Sequence, residues 1–304
     1  MKLGYYPGCS LHATGREYGE STVATLRALE VELREIDDWS CCGATSAHAT
    51  NHLLSVALPA RNLALAEAQG LDEVLAPCAA CFSRLATARH EIAADAALAQ
   101  RVASVLDRPF TNHVAVRNVV DVLRASIPAL KAKVMIKPLA GMKVACYYGC
   151  LLLRPAEIAR FDDPEAPTSM EDVVRATGAT PVGWNMRLEC CGAALSLART
   201  SSVVRLGRAI VEDARRAGAD TIAVACPMCH SNLDFRQSAM TRRGEAEMPV
   251  VYLTELVGLA LGIDPAELGL GRHFVSTSSL VARAAAPPPA PAKAPQQGAA
   301  KGVA

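Results

Sequence analysis

The chain is poor in aromatic side chains: Phe, Trp and Tyr make up 4% of its 304 residues. That argues against the stacking platforms on which single-stranded nucleic acids are held. There is no excess of either charge, the formal net value being +1, so nothing marks a surface for a phosphate backbone. No apolar run approaches the roughly 18 residues that a membrane-spanning helix needs. The opening stretch, Met1-Lys-Leu-Gly-Tyr-Tyr-Pro-Gly-Cys9, lacks the apolar core of a secretory signal. These absences point to the cytoplasm, with any attachment to a membrane made through partners. In that compartment thiols stay reduced, and patterned cysteines mean metal binding or redox catalysis more often than disulfides.

Cysteine is what the chain has, and in a pattern. Cys41-Cys42-Gly43 has Cys9 upstream and Cys78-Ala-Ala-Cys81 downstream; Cys190-Cys191-Gly192 has Cys150 upstream and Cys226-Pro-Met-Cys229 downstream. From Cys42 to Cys78 is 36 residues, and from Cys191 to Cys226 is 35. Ten of the eleven cysteines fall into these two sets of five, leaving Cys146 without a counterpart. The segment 70–85 also matches 218–233 without a gap, so the repeat is one of structure as well as of ligands.

With 51% hydrophobic and 20% charged residues, the chain has the composition of a globular protein. Short apolar runs alternate with helical periodicity in both halves. Strands are expected at 2–6, 31–36 and 74–76, and again at 143–148, 181–184, 221–225 and just after 250. Helices are expected between them, about 16–30, 53–70, 93–106 and 113–126, then 170–177, 201–217 and up to 262. The helix from Arg16 has Val23, Leu26, Ala28 and Leu29 as its apolar positions. The expected fold is therefore α/β, in two pseudo-symmetric halves, each a small, mostly parallel sheet with flanking helices. The first repeat domain spans 1–135, with a connector at 128–141, and the second spans 136–264. Residues 265–304 are expected as linker and flexible tail. In 282–304, fifteen of the 23 residues are Ala or Pro, too little apolar surface to offset the entropy of ordering.

A doublet can aim both sulfurs at one site only from an irregular loop, because neighbours on a strand point to opposite faces. The glycine after each doublet permits that loop. A CxxC at a helix start puts two sulfurs on one turn, where the amides favour thiolate. Loops at the carboxyl edge of an open α/β sheet are where such folds bind ligands, so five sulfurs per half can converge. Three uses remain open on this pattern: a disulfide framework, a structural zinc site with four ligands, and an iron–sulfur cluster. The cubane run C-x2-C-x2-C-x3-C-P is absent, which excludes an ordinary ferredoxin.

The two complete sets resemble the CCG-domain family. The contexts Tyr-Pro-Gly-Cys-Ser at 6–10 and Tyr-Gly-Cys-Leu-Leu-Leu-Arg-Pro at 148–155 look most like the B subunit of heterodisulfide reductase. The resemblance covers about residues 1–262. It implies that Cys9, Cys41, Cys42, Cys78 and Cys81 hold one noncubane 4Fe–4S cluster. Cys150, Cys190, Cys191, Cys226 and Cys229 would hold a second. It further implies that the pair of clusters cleaves or forms a disulfide, or handles a persulfide. Partners would be a small subunit with cubane clusters and a flavoprotein subunit. An electron-transfer subunit of a lactate- or glycolate-oxidising complex is the alternative within the family, and a zinc-stapled scaffold is the alternative outside it. His12, three residues after Cys9, and His230, next to Cys229, are candidate proton donors to a departing thiolate. Cys146 reads as a small buried hydrophobe on a strand.

Overall fold

A computed structural model describes residues 1–44, 47–134, 139–242 and 244–286. Strands form where short apolar runs are stopped by turn residues. In the first half these are β1 (Lys2–Tyr5), β2 (Glu32–Glu35), β3 (Glu73–Leu75) and β4 (Ala115–Arg117). In the second they are β5 (Lys143–Tyr147), β6 (Thr180–Pro181), β7 (Thr221–Val224) and β8 (Val250–Tyr252). All neighbours pair in parallel, in the order β2-β1-β3-β4 in one sheet and β6-β5-β7-β8 in the other. The two orders are the same once β1 is matched with β5. Parallel pairing needs a crossover between strands, and the helices supply it. The inner strand β7 is buried along its whole length, whereas β2 (Glu-Leu-Arg-Glu) carries its charges at the edge of its sheet, where they discourage further pairing.

The halves dock reciprocally. The helix Arg16–Ala28, which follows β1, packs on Leu253–Ala260, which follows β8. The helix Ser169–Ala176, which follows β5, packs on Val119–Ala125, which follows β4. Each contact is the other with the halves exchanged, as in a twofold interface. One buried apolar cluster runs through both sheets, and a smaller one around Val56, Ile92 and Val102 lies under the first half.

Four expectations differ from what is observed. The stretch 113–126 is not one helix: β4 occupies Ala115–Arg117, and the helix begins at Val119, where Asn118 caps it by accepting from Asp121 N at 3.0 Å. Three residues are too few to show a strand's period of two. The connector contains a helix, Ile127–Lys133, and residues 135–138 lie outside the described residues. Residues 265–286, expected as linker, pack against both halves, with Arg272 on Glu20 and Phe274 N on Asp234, and bury Leu268, Leu270, Val275 and Leu280. The tail 287–304 lies outside the described residues.

The face of Arg16–Ala28 also departs from its apolar pattern. Val23 is exposed, and the buried positions include Tyr18, Ser21, Thr22 and Thr25. The reason is the partner helix: Ser21 Oγ lies 2.7 Å from Thr254 Oγ1, and Thr25 Oγ1 donates to Thr254 O at 2.9 Å. The seam thus pairs the buried hydroxyls of Ser21 and Thr25, while Thr22 Oγ1 is buried without a partner among the described residues.

Candidate metal centres

Every cysteine of the two sets lies just beyond the carboxyl end of a strand. In the first half, β1 leads into the short helix Gly8–Leu11 with Cys9, β2 leads to Cys41-Cys42, and β3 leads to Cys78, which caps the helix Ala79–Ala94. In the second, β5, β6 and β7 lead to Cys150, to Cys190-Cys191, and to Cys226, which caps Pro227–Leu233. Because β1 and β5 lie inside their sheets, flanked by later strands on both sides, the crevice opens where those loops diverge.

The geometry is duplicated in detail. Cys42 Sγ lies 3.5 Å from Cys81 Sγ, and Cys191 Sγ lies 3.7 Å from Cys229 Sγ. Gly43 N donates to Cys41 Sγ at 3.4 Å and Gly192 N to Cys190 Sγ at 3.3 Å. Gly8 and Gly149 have φ of 68° and 67°, and a Cβ there would stand 2.9 Å from Cys81 Sγ and 3.2 Å from Cys229 Sγ. The backbone thus folds over the sulfurs where no side chain fits, which only glycine permits without strain. Cys9, Cys41 and Cys190 are exposed and Cys150 is half-buried, while the remaining six are buried, so each set is a lined pit with an open mouth. None of the eleven cysteines is paired in a disulfide.

Side chains around each pit hold the doublet loop. Tyr6 OH donates to Ser40 O at 2.7 Å, and Tyr147 OH donates to Glu189 O at 2.5 Å; each acceptor immediately precedes its doublet. These bonds match Tyr6-Pro7-Gly8-Cys9 to Tyr147-Tyr148-Gly149-Cys150, which leaves Tyr5 opposite Cys146. Asn62, fully buried, accepts from Ser40 N at 2.8 Å and donates to Ser40 O at 3.0 Å. Comparable work in the second half falls to Asp213, which accepts from Asn185 N at 2.8 Å and Met186 N at 3.2 Å.

The two pits meet at the boundary between halves. Tyr18 OH lies 3.0 Å from Pro77 O and 3.2 Å from Ala225 O, the residues just before Cys78 and Cys226. Its ring stacks on Tyr252 at 4.1 Å. Cys78 and Cys226 face each other across this boundary closely enough for each thiol to shift the other's pKa, Cys78 up and Cys226 down. Within the sets, hydrogen bonds from Cys41 and Cys81 pull the Cys42 thiol down to about 3, and its bond to Cys42 pushes the Cys41 thiol up. Bonds from Cys229 and Cys78 hold Cys226 well below its usual value, and the bond to Cys191 raises Cys229. Sulfurs this close share their protons, and a whole set becomes thiolate only with a cation among them. Soft sulfur donors under a glycine cradle fit an iron–sulfur group.

Tyr18, Asn62 and Asp213 were not legible as site residues in the sequence. A lone Tyr whose acceptor stands 207 residues away leaves no local pattern. Cys146 is fully buried on β5, and burial raises its thiol well above the usual value.

The two histidines lie in different surroundings. His12 is at the surface, 3.4 Å from Glu35 and with its ring against Trp39. His230 is buried; its Nε2 lies 3.1 Å from Val250 O and 3.1 Å from His273 Nδ1, and burial, then His273, lowers its pKa well below the ordinary value. His230, Asp234 and His273 bring ligand atoms within 4.8 Å of one another. That cluster is already knitted: Asp234 accepts from Phe274 N at 2.8 Å and Val275 N at 3.1 Å, and His273 Nε2 lies 2.8 Å from Glu255. Beside it opens a cavity of about 370 Å³ walled by Glu17, His230, Phe235, Arg272 and Phe274.

Residues 3–86 and 144–234 match the profile of the CCG cysteine-rich domain, one copy on each half. The chain belongs to this family. A CCG protein of Wolinella succinogenes, the 8-methylmenaquinol:fumarate reductase membrane anchor subunit, is 35% identical over 284 residues, 92% of this chain and 99% of that one. The B subunit of the ferredoxin/F420H2-dependent CoB-CoM heterodisulfide reductase of Methanosarcina acetivorans is 29% identical over 290 residues, 93% and 96% of the two chains. Among solved structures, a hypothetical protein from Helicobacter pylori superposes with a TM-score of 0.73 at 11% identity, over 91% of this chain. This chain spans about half of that one, 52%, and the likeness is one of fold. The kinship of the CCG chain is with oxidoreductase subunits of multisubunit complexes, of the iron–sulfur electron-transfer kind. Among its described residues no helix is long and apolar enough to cross a membrane.

Proposed function

We propose that each five-cysteine set holds one noncubane 4Fe–4S cluster, and that the chain is the iron–sulfur catalytic subunit of a heterodisulfide-reductase-like complex acting on a disulfide or related sulfur substrate. The observation that carries this reading is the meeting of the two sets at one boundary, where Tyr18 OH reaches the residue before each CxxC, at 3.0 and 3.2 Å, and the Cys78 and Cys226 thiols perturb each other. A disulfide has two sulfurs, and neighbouring equivalent sites are what an enzyme needs to receive both. Bound there, iron would supply soft electrophilic centres and one-electron redox capacity. The protein's own part is to fix ten sulfurs, through Tyr6, Tyr147, Asn62 and Asp213, and to keep three of each five out of water. Electrons would be exchanged with a small subunit carrying cubane clusters and, through it, a flavoprotein.

A second reading, quinol-linked electron transfer at a membrane surface, is favoured by the fumarate reductase relative and by the cavity next to Cys229. Its rim carries Phe235 and Phe274, 49% and 70% exposed, as an apolar ligand would require.

The test is anaerobic purification followed by iron, sulfide and zinc analysis. The expected content is about eight irons with matching sulfide. A colourless protein with about two zinc ions would refute the cluster reading. Cys81→Ser and Cys229→Ser should each lose one cluster and keep the other, while Cys146→Ser keeps both. Oxidation of the reduced protein by a disulfide but not by menadione favours the first reading, and the reverse favours the second.

A further inference from the structure

The two sets have equivalent sulfurs but not equivalent surroundings. Asn232, fully buried on the helix Pro227–Leu233, lies three residues beyond Cys229. Its amide nitrogen is 3.6 Å from Cys191 Sγ and 3.4 Å from Cys191 O. Its oxygen accepts from Ser196 Oγ at 2.7 Å and from Arg236 Nε at 3.4 Å, and Arg236 Nη2 donates to Ser196 O at 2.9 Å. A guanidinium has only donors, so it can face the amide oxygen and not the NH2. That settles which end of Asn232 meets the sulfur: the donor end does.

The first half has none of the three residues. The ungapped match of 70–85 to 218–233 puts Arg84 in the place of Asn232, and four residues further on Ala88 stands for Arg236. The fifth residue after the doublet is Ala47 where the second half has Ser196. Among the described residues, no side-chain amide donates to a sulfur of the first set.

An N–H donated to a thiolate stabilises negative charge on the sulfur, and a reduced cluster is the more negative state. Such bonds are one of the means by which a protein sets cluster potential. We infer that Asn232 is a positioning residue that raises the reduction potential of the metal group on the second set above that on the first, so that an electron shared between them resides at the second. This rests on the reading that both sets hold clusters.

The experiment is a potentiometric titration of the anaerobic holoprotein followed by electron paramagnetic resonance. The two reduction steps are assigned with Cys81→Ser, which lacks the first cluster. In Asn232→Leu, which has similar volume and no donor, the second step should fall by at least tenfold in its equilibrium constant, about 59 mV for one electron, and the first should stay. A proton coupling of the reduced second cluster that exchanges in deuterium oxide should vanish. Ser196→Ala, which frees the amide to turn, should shift the same step in the same sense; it decides the matter if Asn232→Leu loses iron. Full iron with neither step moved, or both steps moved together, overturns the inference. Absence of iron from the wild-type protein is a different failure, that of the cluster reading itself.

Discussion

Asn62 and Asp213 do comparable work with different chemistry, and the difference is visible to pH. Burial would raise the Asp213 carboxyl, but the backbone N–H groups of Asn185 and Met186, with Arg216, outweigh it and hold the pKa below the usual 3.8. A carboxyl depressed in the fold stabilises it above its unfolded value, and that stability is lost as pH falls through the folded value. The loop before Cys190 should therefore loosen in acid, whereas the Asn62 amide, which does not titrate, keeps its hold on Ser40. Urea unfolding of the apoprotein between pH 3 and 7 checks this. Asp213→Asn should be weaker than wild type by roughly 1 kcal/mol at neutral pH. The gap should close below about pH 4, near the ordinary Asp value. A gap that stays constant over the range would show that the charge at 213 does nothing for the loop.

At the level of elements, the turn from β1 and its copy from β5 carry the closest approach of backbone to sulfur. Gly8→Ala puts a Cβ 2.9 Å from Cys81 Sγ and forces an L side chain to φ 68°, a region that costs roughly 1–2 kcal/mol. Cys81 sits buried on the first turn of its helix, so the relief is displacement of the sulfur. If each set holds a cluster as proposed, the expected result is loss of iron from the first set with the second intact, and Gly149→Ala should do the opposite. Iron per chain and the spectrum of the remaining cluster decide it; full iron in both variants would mean that the cradle tolerates a methyl group. The CxxC helices show why motif and element agree: in both halves the first cysteine is the residue that caps the helix, so the spacing of two holds one turn's sulfurs together.

For the whole molecule, Tyr18 is the point where one half touches both pits. Tyr18→Phe keeps the stack on Tyr252 but leaves Pro77 O and Ala225 O without that donor. The expected loss is about 1–2 kcal/mol in urea unfolding, the usual cost of a buried group left unpaired. Both proposed clusters should be bound less tightly, in contrast to the one-sided effects of the glycine and cysteine variants. A stability loss with iron retained equally in both sites under chelator challenge would make Tyr18 a packing residue only.

The repeat of cysteines, the α/β alternation and the place of each doublet beyond a strand were all legible along the chain, because they rest on local periodicity and on spacing between residues of one half. The short β4, the helix at Ile127–Lys133 and the packing of 265–286 were not, because each is too short or too irregular to show a period and is held by contacts with distant residues. The hydroxyl-lined face of Arg16–Ala28 shows no apolar period because Ser21 and Thr25 are held by Thr254 of the partner helix. Ten sulfurs, their grouping by fives and their order were written in the sequence. Which sulfurs touch, that the two sets meet at Tyr18, and that only one of them receives the Asn232 amide were decided by tertiary structure, since these contacts join different loops and helices, 38 to 207 residues apart, and no local pattern carries them.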